Sequence, residues 1–316
     1  MVKLALSFFY KPRSYHFFRL HNAKLTVSHN KNRAMIIFKK VKDITNYLQK
    51  QKEAKNSIGF VPTMGALHEG HMSLLRECNK MSGISVCSIF VNPTQFNNQE
   101  DLAKYPKTVP QDIMLLEQNG CDVLFLPDER EIYRDKKSKE KHFDLGKLET
   151  MLEGKFRPGH FQGVCLVVEK LLGIVNPEFL FLGQKDYQQC LVIEHLVALM
   201  GINIRIIICP ILREESGLAM SSRNLRLNPS DRKLASNLYH TLVSIKNRLP
   251  SEDFVQLREQ AIKDLESKGF TIEYLELASK NNLERVSPFN PQEDLIILIA
   301  AFLGGVRLID NLFINI

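Results

Sequence analysis

The chain has 316 residues, 44% hydrophobic and 24% charged, which supplies a core for one large α/β unit or two smaller ones and excludes wholesale disorder. Its 16 glycines and 13 prolines exclude collagen-like and low-complexity architectures, and its longest apolar run, Leu295 to Val306, is 12 residues, too short to span a bilayer. The net charge of +7 is confined to residues 1–34, which hold seven Lys and Arg and no acid; residues 35–316 balance at 35 basic against 35 acidic side chains, so the body has no global electrostatic reason to bind nucleic acid or an anionic membrane.

Residues 1–34 read as an arm outside the fold. An organelle-import presequence, an upstream extension before a start at Met35, and a disordered arm all fit its basic, acid-free composition. The reading favoured is an upstream start or a dispensable arm, with the body cytoplasmic. From Met35 onward, apolar strands at Ile58–Pro62, Ile84–Val91, Asp122–Leu126, Phe179–Leu182 and Ile204–Cys209 alternate with helical patterns at His71–Lys80, Val109–Asn119, Gln162–Val175 and Tyr187–Met200. That alternation predicts a doubly wound parallel sheet covered on both faces, Rossmann-like. Gly120 and Gly201 stand where helix C-terminal caps are expected. Beyond about Ile211 the order changes to helices (Pro229–Arg248, Glu252–Lys268) and then strands (Thr271–Ala278, Leu295–Phe302, Val306–Ile309), which predicts a smaller α+β C-terminal lid domain. The predicted division is therefore 1–34, 35–211 and 212–316. Lys136–Lys141 reads as a solvated surface loop. The six cysteines have no C-x-x-C spacing and five lie beside aliphatic residues, so they read as buried reduced thiols rather than disulfides or zinc ligands.

Four segments carry the chemistry. In Val61-Pro-Thr-Met-Gly-Ala-Leu-His-Glu-Gly-His71, a strand leads into a helix start, where free N–H groups favour anions. His68 and His71 are three apart and can share a face, a pair suited to polyphosphate; no third ligand sits nearby to make zinc, and no protein-held metal is expected. After the next strand, Asn92 and Gln95 offer neutral donors and acceptors and Phe96 an apolar wall, although Asn-Pro is also ordinary turn chemistry. Phe181-Leu-Gly-Gln-Lys-Asp-Tyr-Gln-Gln189 repeats the strand–turn–helix crest, with Lys185 as a phosphate cation, Asp186 as a cap, metal or ribose group, and one of Gln188 and Gln189 facing the site. Arg213 to Asn224 reads alone as a linker; paired with the histidine segment it reads as a mobile phosphate clamp through Ser221, Ser222 and Arg223. Arg157 and His160, on a Gly/Pro loop, are weaker candidates for the same phosphates.

These motifs, with Arg157-Pro-Gly-His-Phe161, occur in the order of the pantothenate synthetase (pantoate–β-alanine ligase) family, which the chain resembles from about Met35 to the terminal Arg307-Leu-Ile-Asp-Asn311. That family is of the nucleotidyltransferase group related to class I aminoacyl-tRNA synthetases; His68-Glu-Gly-His71 resembles the group's His-Ile-Gly-His motif and Met220–Arg223 its Lys-Met-Ser-Lys-Ser loop. The resemblance implies that pantoate and ATP form a pantoyl-adenylate and pyrophosphate, and that β-alanine then displaces AMP to give pantothenate. It implies ATP contacts at Met64, Gly65, Ala66, Leu67, His68, Glu69, Gly70, His71, Gly183, Gln184, Lys185, Asp186, Leu212, Met220, Ser221, Ser222 and Arg223. It implies pantoate contacts at Gln95, Gln189 and Asn92, with Gln95 also near β-alanine, and catalytic roles for His71, Lys185, His68 and Arg223. Mg²⁺ with the triphosphate and a homodimer follow from the resemblance alone. Gln184 replaces a frequent Glu and Ser216 a frequent Asp, which leaves the reaction class untouched. A nucleotidyltransferase acting on a phosphate substrate, a dead nucleotide-binding module and a synthetase fragment that binds tRNA are the rivals. The amide set of Asn92, Gln95 and Gln189, the presence of His71, Lys185 and Arg223, and the neutral body argue against them in turn.

Overall fold

The structure, a computed structural model, describes residues 34–134 and 141–314; the expectations for the leader 1–34 and the loop Lys136–Lys141 fall on residues almost wholly outside it. Six strands form one parallel sheet: β1 (Ile36–Phe38), β2 (Ile58–Thr63), β3 (Ile84–Ile89), β4 (Val123–Phe125), β5 (Phe179–Gly183) and β6 (Arg205–Cys209), in the order β1-β4-β3-β2-β5-β6. Helices α1 (Val41–Glu53), α2 (Glu69–Met81), α3 (Gln99–Ala103), α4 (Val109–Gln118), α5 (Glu129–Ile132), α6 (Leu152–Phe156), α7 (His160–Val175) and α8 (Tyr187–Met200) connect and cover it.

The strands read as unbroken apolar runs because both faces are buried. Phe60, Val86 and Leu180 point into a core shared with α1, α7 and α8, while their neighbours Val61, Cys87 and Phe181 point into a second core shared with α2 and α4. All six cysteines are buried, as expected, and burial pushes the thiols of Cys78, Cys121, Cys165 and Cys209 up to about 12, so they act as small apolar side chains. Gly120 and Gly201 take positive φ of 72° and 63° just past α4 and α8, the left-handed turn that ends a helix cheaply at glycine.

Three further helices, α9 (Pro229–Ala235), α10 (Asn237–Arg248) and α11 (Phe254–Glu266), precede an antiparallel sheet of β7 (Thr271–Ser279), β8 (Leu295–Leu303) and β9 (Val306–Ile314). Along β8, Leu295, Ile297, Ile299 and Ala301 face α10 and α11, and Ile296, Leu298 and Ala300 face Leu152, Tyr187 and Leu191 of the first unit. The apolar run is thus the nine-residue strand β8, covered on both sides, with the Gly304-Gly305 turn and the first residue of β9. The second sheet docks through an apolar layer and a buried charge cluster: Arg307 grips Glu153 with two bonds of 2.7 Å, and the Tyr274 hydroxyl donates to Glu153 at 2.7 Å. Burial alone would raise the Glu153 carboxyl, but the Arg307 guanidinium prevails and holds it at about 2.

Two differences from the sequence reading have local causes. Strand β1 and helix α1 were not anticipated: β1 is three residues long, and α1 buries only Ile44 and Leu48, too sparse a stripe to stand out. The single helix expected over Pro229–Arg248 is two, divided at Ser236, whose hydroxyl donates to the Lys233 carbonyl at 2.9 Å and competes with the helix ladder.

Candidate active site

In a parallel sheet, ligands bind beyond the carboxyl ends of the strands where the strand order reverses. Here the chain runs outward from β2 through β3 and β4, then returns to add β5 and β6 on β2's other side. The reversal lies between β2 and β5, and the crests after these two strands face one another across a cleft of about 230 Å³.

The β2 crest turns sharply. Gly65 takes φ +83°, and a Cβ there would sit 3.0 Å from Ile89 and 3.1 Å from the Asp112 carboxylate; Ala66 follows at φ +49°. The strained turn is held by buried Asp112, on α4, which accepts the amide hydrogens of Ala66 (3.0 Å) and Leu67 (2.8 Å) and the Thr108 hydroxyl (3.0 Å). The turn releases the chain into α2 through a reciprocal cap. His68 Nδ1 accepts from the Gly70 amide at 3.1 Å, and His71 Nδ1 accepts from the His68 amide at 3.3 Å. An Nδ1 that accepts carries no proton, so each neutral ring is protonated on Nε2. Neutrality is enforced: burial, then Lys185, lowers His68 to about 4, and burial, then His68 and Lys185, lowers His71 well below the usual histidine range. The two rings, with centroids 4.1 Å apart, therefore offer the cleft N–H donors rather than positive charge.

The β5 crest is a short 3₁₀ turn, Gln184–Asp186, leading into α8. It puts Lys185 on the cleft, 3.4 Å from the Asp186 carboxylate. Asn311 of β9 holds the turn: its Nδ2 donates to the carbonyls of Gln184 (2.9 Å) and Lys185 (3.0 Å), and its Oδ1 accepts from Gln184 Nε2 (3.0 Å). Met220 to Arg223 cover the opening, with the Ser222 hydroxyl donating to the Ala66 carbonyl at 3.1 Å. Arg223 and Arg226 both grip Asp101, at 2.9 and 2.8 Å.

Deeper in the cleft, Phe90, Val164, Val168, Leu171 and Phe181 form an apolar wall, and Gln95 and Gln189 add amides. Asn92 is buried and fully used: it donates to Gln95 Oε1 and the Gly163 carbonyl, both at 3.0 Å, and accepts from the Tyr133 hydroxyl at 2.7 Å. Its geometry is that of a brace for Gln95. Among the described residues Gln95 Nε2 meets only the Met64 sulfur, at 3.1 Å, a weak acceptor that leaves this donor open to a stronger one. Helix α7 packs so closely on this turn that a Cβ on Gly163 would lie 2.2 Å from the Thr94 carbonyl oxygen.

The cleft thus gathers Met64, His68, Gly70, His71, Asn92, Gln95, Gly183, Gln184, Lys185, Asp186, Gln189, Leu212, Met220, Ser221, Ser222 and Arg223. Gly65, Ala66, Leu67 and Glu69 shape the crest from behind the wall; the amides of Ala66 and Leu67 are spent on Asp112, and Glu69 pairs with Arg76 at 3.1 Å on the surface. Gln189 lines the cleft, whereas Gln188 is buried beneath it on the Glu153 amide and the carbonyls of Leu148 and Met151. His160 also has both nitrogens occupied, Nε2 by Arg157 (3.0 Å) and Nδ1 by the Gln95 carbonyl (2.8 Å), and burial, then Arg157, lowers it to about 3. It supports the Gln95 turn. Asp112, Asp101 and Tyr105, the last lining the cleft, escaped the sequence reading, and Asn311 entered it only as the end of the terminal stretch of the resemblance. What gives Asp112, Asp101 and Asn311 their places is a contact made across the fold.

A family model described as pantoate–β-alanine ligase matches residues 36–313. The pantothenate synthetase of Cytophaga hutchinsonii is 44% identical over 283 residues, covering 89% of this chain and 99% of the relative; that of Marinomonas sp. is 43% identical over 287 residues, covering 89% and 100%. Among solved structures, the pantothenate synthetase from Thermus thermophilus superposes with a TM-score of 0.83 at 34% identity, covering 89% of this chain and 100% of its own. The pantoate–β-alanine ligase from Francisella tularensis, complexed with β,γ-ATP and β-alanine, superposes with a TM-score of 0.73 at 39% identity, covering 89% and 98%.

Proposed function

This chain belongs to the pantoate–β-alanine ligase family, and we propose that it joins pantoate to β-alanine through a pantoyl-adenylate. It is an ATP-dependent ligase that makes pantothenate. The observation that carries the proposed route is the meeting, across one cleft, of a donor-and-cation end (His68, His71, Lys185, Arg223) with an amide-and-apolar end (Gln95, Gln189, Phe181, Val164).

A carboxylate is a poor electrophile, so pantoate's oxygen first attacks the α-phosphorus of ATP and pyrophosphate leaves. Charge grows on the phosphoryl oxygens in that step, and fixed donors aimed at it lower the barrier. In our reading His71 Nε2–H is the principal donor at the α-phosphoryl group, with His68 beside it. Lys185 and Arg223 neutralise the phosphates, and Ser221 and Ser222 add hydroxyls. The segments Met64–His71, Gly183–Asp186, Leu212 and Met220–Arg223 enclose ATP. Gln95 and Gln189 hold pantoate's hydroxyls and carboxylate, Asn92 orients Gln95, and Gln95 also lies beside β-alanine. The β-alanine amine then attacks the acyl carbon, loses a proton, and AMP departs with the bridging oxygen.

Among the described residues no group of three or more His, Cys, Asp or Glu forms a metal site. The donor set here is cationic and amide-rich, which fits Mg²⁺ arriving as part of the ATP substrate, held by phosphate oxygens and water with Asp186 the adjacent carboxylate. We further propose a division into 35–211 and 212–316 domains, a homodimer and a cytoplasmic location, checked by limited proteolysis near residue 211, sedimentation and cell fractionation. No helix among the described residues is long and apolar enough to cross a membrane.

ATP–pyrophosphate exchange with pantoate alone tests the route. Exchange without β-alanine is expected. Exchange only with another acid would overturn the substrate assignment, and a requirement for β-alanine would overturn the stepwise intermediate.

A further inference from the structure

The chain's terminal motif, Arg307 to Asn311, lies on an edge strand of the second sheet, more than 120 residues in sequence from Lys185. Its side chains nevertheless run along the back of the site. Arg307 grips Glu153 of α6, which also pairs with Arg157 at 3.7 Å. Asp310 takes both ends of the Arg213 guanidinium, at 2.6 and 2.9 Å, and Arg213 in turn donates to the Gly217 carbonyl at 3.1 Å in the segment that leads to Met220–Arg223. Asn311 is 2% exposed and spends both amide hydrogens on consecutive carbonyls of the Lys185 turn. Gln184 Nε2 donates to Asn311 Oδ1, which keeps the nitrogen end of the amide toward the carbonyls, and the Asn311 backbone amide donates to Asp310 Oδ1 at 2.7 Å, which holds the backbone beneath it.

From this arrangement we infer that Asn311 is a positioning residue for adenylation: it sets the place of the Lys185 ammonium by clamping the Gln184 and Lys185 carbonyls. Nothing else among the described hydrogen bonds ties both carbonyls to the second sheet. A lysine reaches its target along a flexible four-carbon stem, so its usefulness depends on where its backbone is anchored. A displacement of the order of 1 Å in such a group costs about 10²-fold in rate. The inference deepens the proposed function and rests on it for the identity of the step.

Asn311→Asp tests it, because the size is kept while both donors become acceptors facing carbonyls. Gln184→Ala is the milder companion: it removes the bond that orients the amide, at a partly exposed side chain that also lines the cleft, so its effect is read from the comparison with and without Lys185. Each is made alone and with Lys185→Ala. Affinity for a non-hydrolysable ATP analogue is measured by calorimetry, and pantoate-dependent exchange and attack of β-alanine on supplied pantoyl-adenylate are measured as rates. In an enzyme that retains Lys185, Asn311→Asp is expected to lower exchange about 10- to 100-fold and Gln184→Ala about threefold. Amine attack should stay within twofold. In the Lys185→Ala background, either change should alter analogue affinity and residual exchange by less than twofold, since the group it positions is gone. Equal losses with and without Lys185, or equal losses in both half-reactions, would overturn the inference and leave Asn311 a fold contact. A wild-type enzyme without pantoate-dependent exchange would instead overturn the proposed route, and the analogue-affinity cycle would still decide whether Asn311 acts through Lys185.

Discussion

The two crests that meet at the cleft look alike in sequence, each a strand, a glycine and a polar helix start, yet they are held in opposite ways. The β2 crest is fastened from within its own sheet layer, by Asp112 on α4 and by the reciprocal cap between His68 and His71. The β5 crest is fastened from outside, by Asn311 on the second sheet. The anchors of the first, Asp112 and the histidine cap, lie among the elements of the parallel sheet, with Ser222 adding one bond to Ala66 from beyond it. The anchor of the second lies on the C-terminal sheet, so the histidine side of the cleft is braced locally and the Lys185 side by a contact across the fold.

His71→Ala breaks the first crest at its chemistry. Exchange is expected to fall ~10²–10³-fold, the loss typical of one transition-state donor, with analogue affinity nearly unchanged and amine attack on supplied adenylate less affected. Near-normal exchange in a folded variant would reduce His71 to a helix cap.

Asp112→Ala breaks the same crest at its anchor. It leaves the buried amides of Ala66 and Leu67 without acceptors, which costs roughly 2–4 kcal/mol and should lower Tm by roughly 4–16 °C. An unchanged Tm would show that the turn at Gly65 and Ala66 holds itself.

Gln189→Ala leaves both crests intact and so serves as the contrast. A lost neutral hydrogen bond is worth about 0.5–1.5 kcal/mol, so the pantoate KM should rise about three- to tenfold with ATP affinity near wild type. A defect selective for ATP would reassign Gln189 to the phosphate end.

Acid acts on the crest that carries the histidines. His68, at about 4, His71, well below its usual range, and His160, at about 3, are depressed relative to 6.5 in the unfolded chain. Between those values the unfolded state binds more protons, so their contribution to stability is whole above pH 6.5 and is lost as pH falls from 6.5 toward 4 for His68 and toward 3 for His160. Tm measured across that window should decline with acid, and replacing His160 with Gln should flatten the decline. An equal slope in the variant would place the loss elsewhere. Glu153 acts lower, between its unfolded value near 4.5 and about 2.

A chain beginning at Met35 should show the smallest change, with kinetics for pantoate and β-alanine within about twofold of the full chain, because the family match begins at Ile36 and the site lies wholly beyond it. A large loss in a well-folded shortened chain would give the leader a part in the site.

Sequence alone determined the parallel sheet, its position before a smaller α+β unit, and the four segments that converge on the cleft, because those signals are short-range. Apolar runs, a glycine after a strand and two histidines three apart are visible within ten residues. It also singled out Gln95 and Gln189, both of which line the cleft. Tertiary structure alone decided how those side chains are used. Asn92 lies among the site amides but is consumed in holding Gln95, His160 is consumed between Arg157 and the Gln95 carbonyl, and the backbone amides of Ala66 and Leu67 point to Asp112. The protonation state of the histidine pair was equally hidden, since a sequence gives the residue and only burial gives the cost of charging it. The clamp from Asn311 to the Lys185 turn spans 126 positions, and no periodicity or spacing encodes a hydrogen bond at that separation. It exists because the apolar face of the second sheet, carried by Ile296, Leu298 and Ala300, packs on Tyr187 and Leu191 and so brings the edge of β9 against the turn.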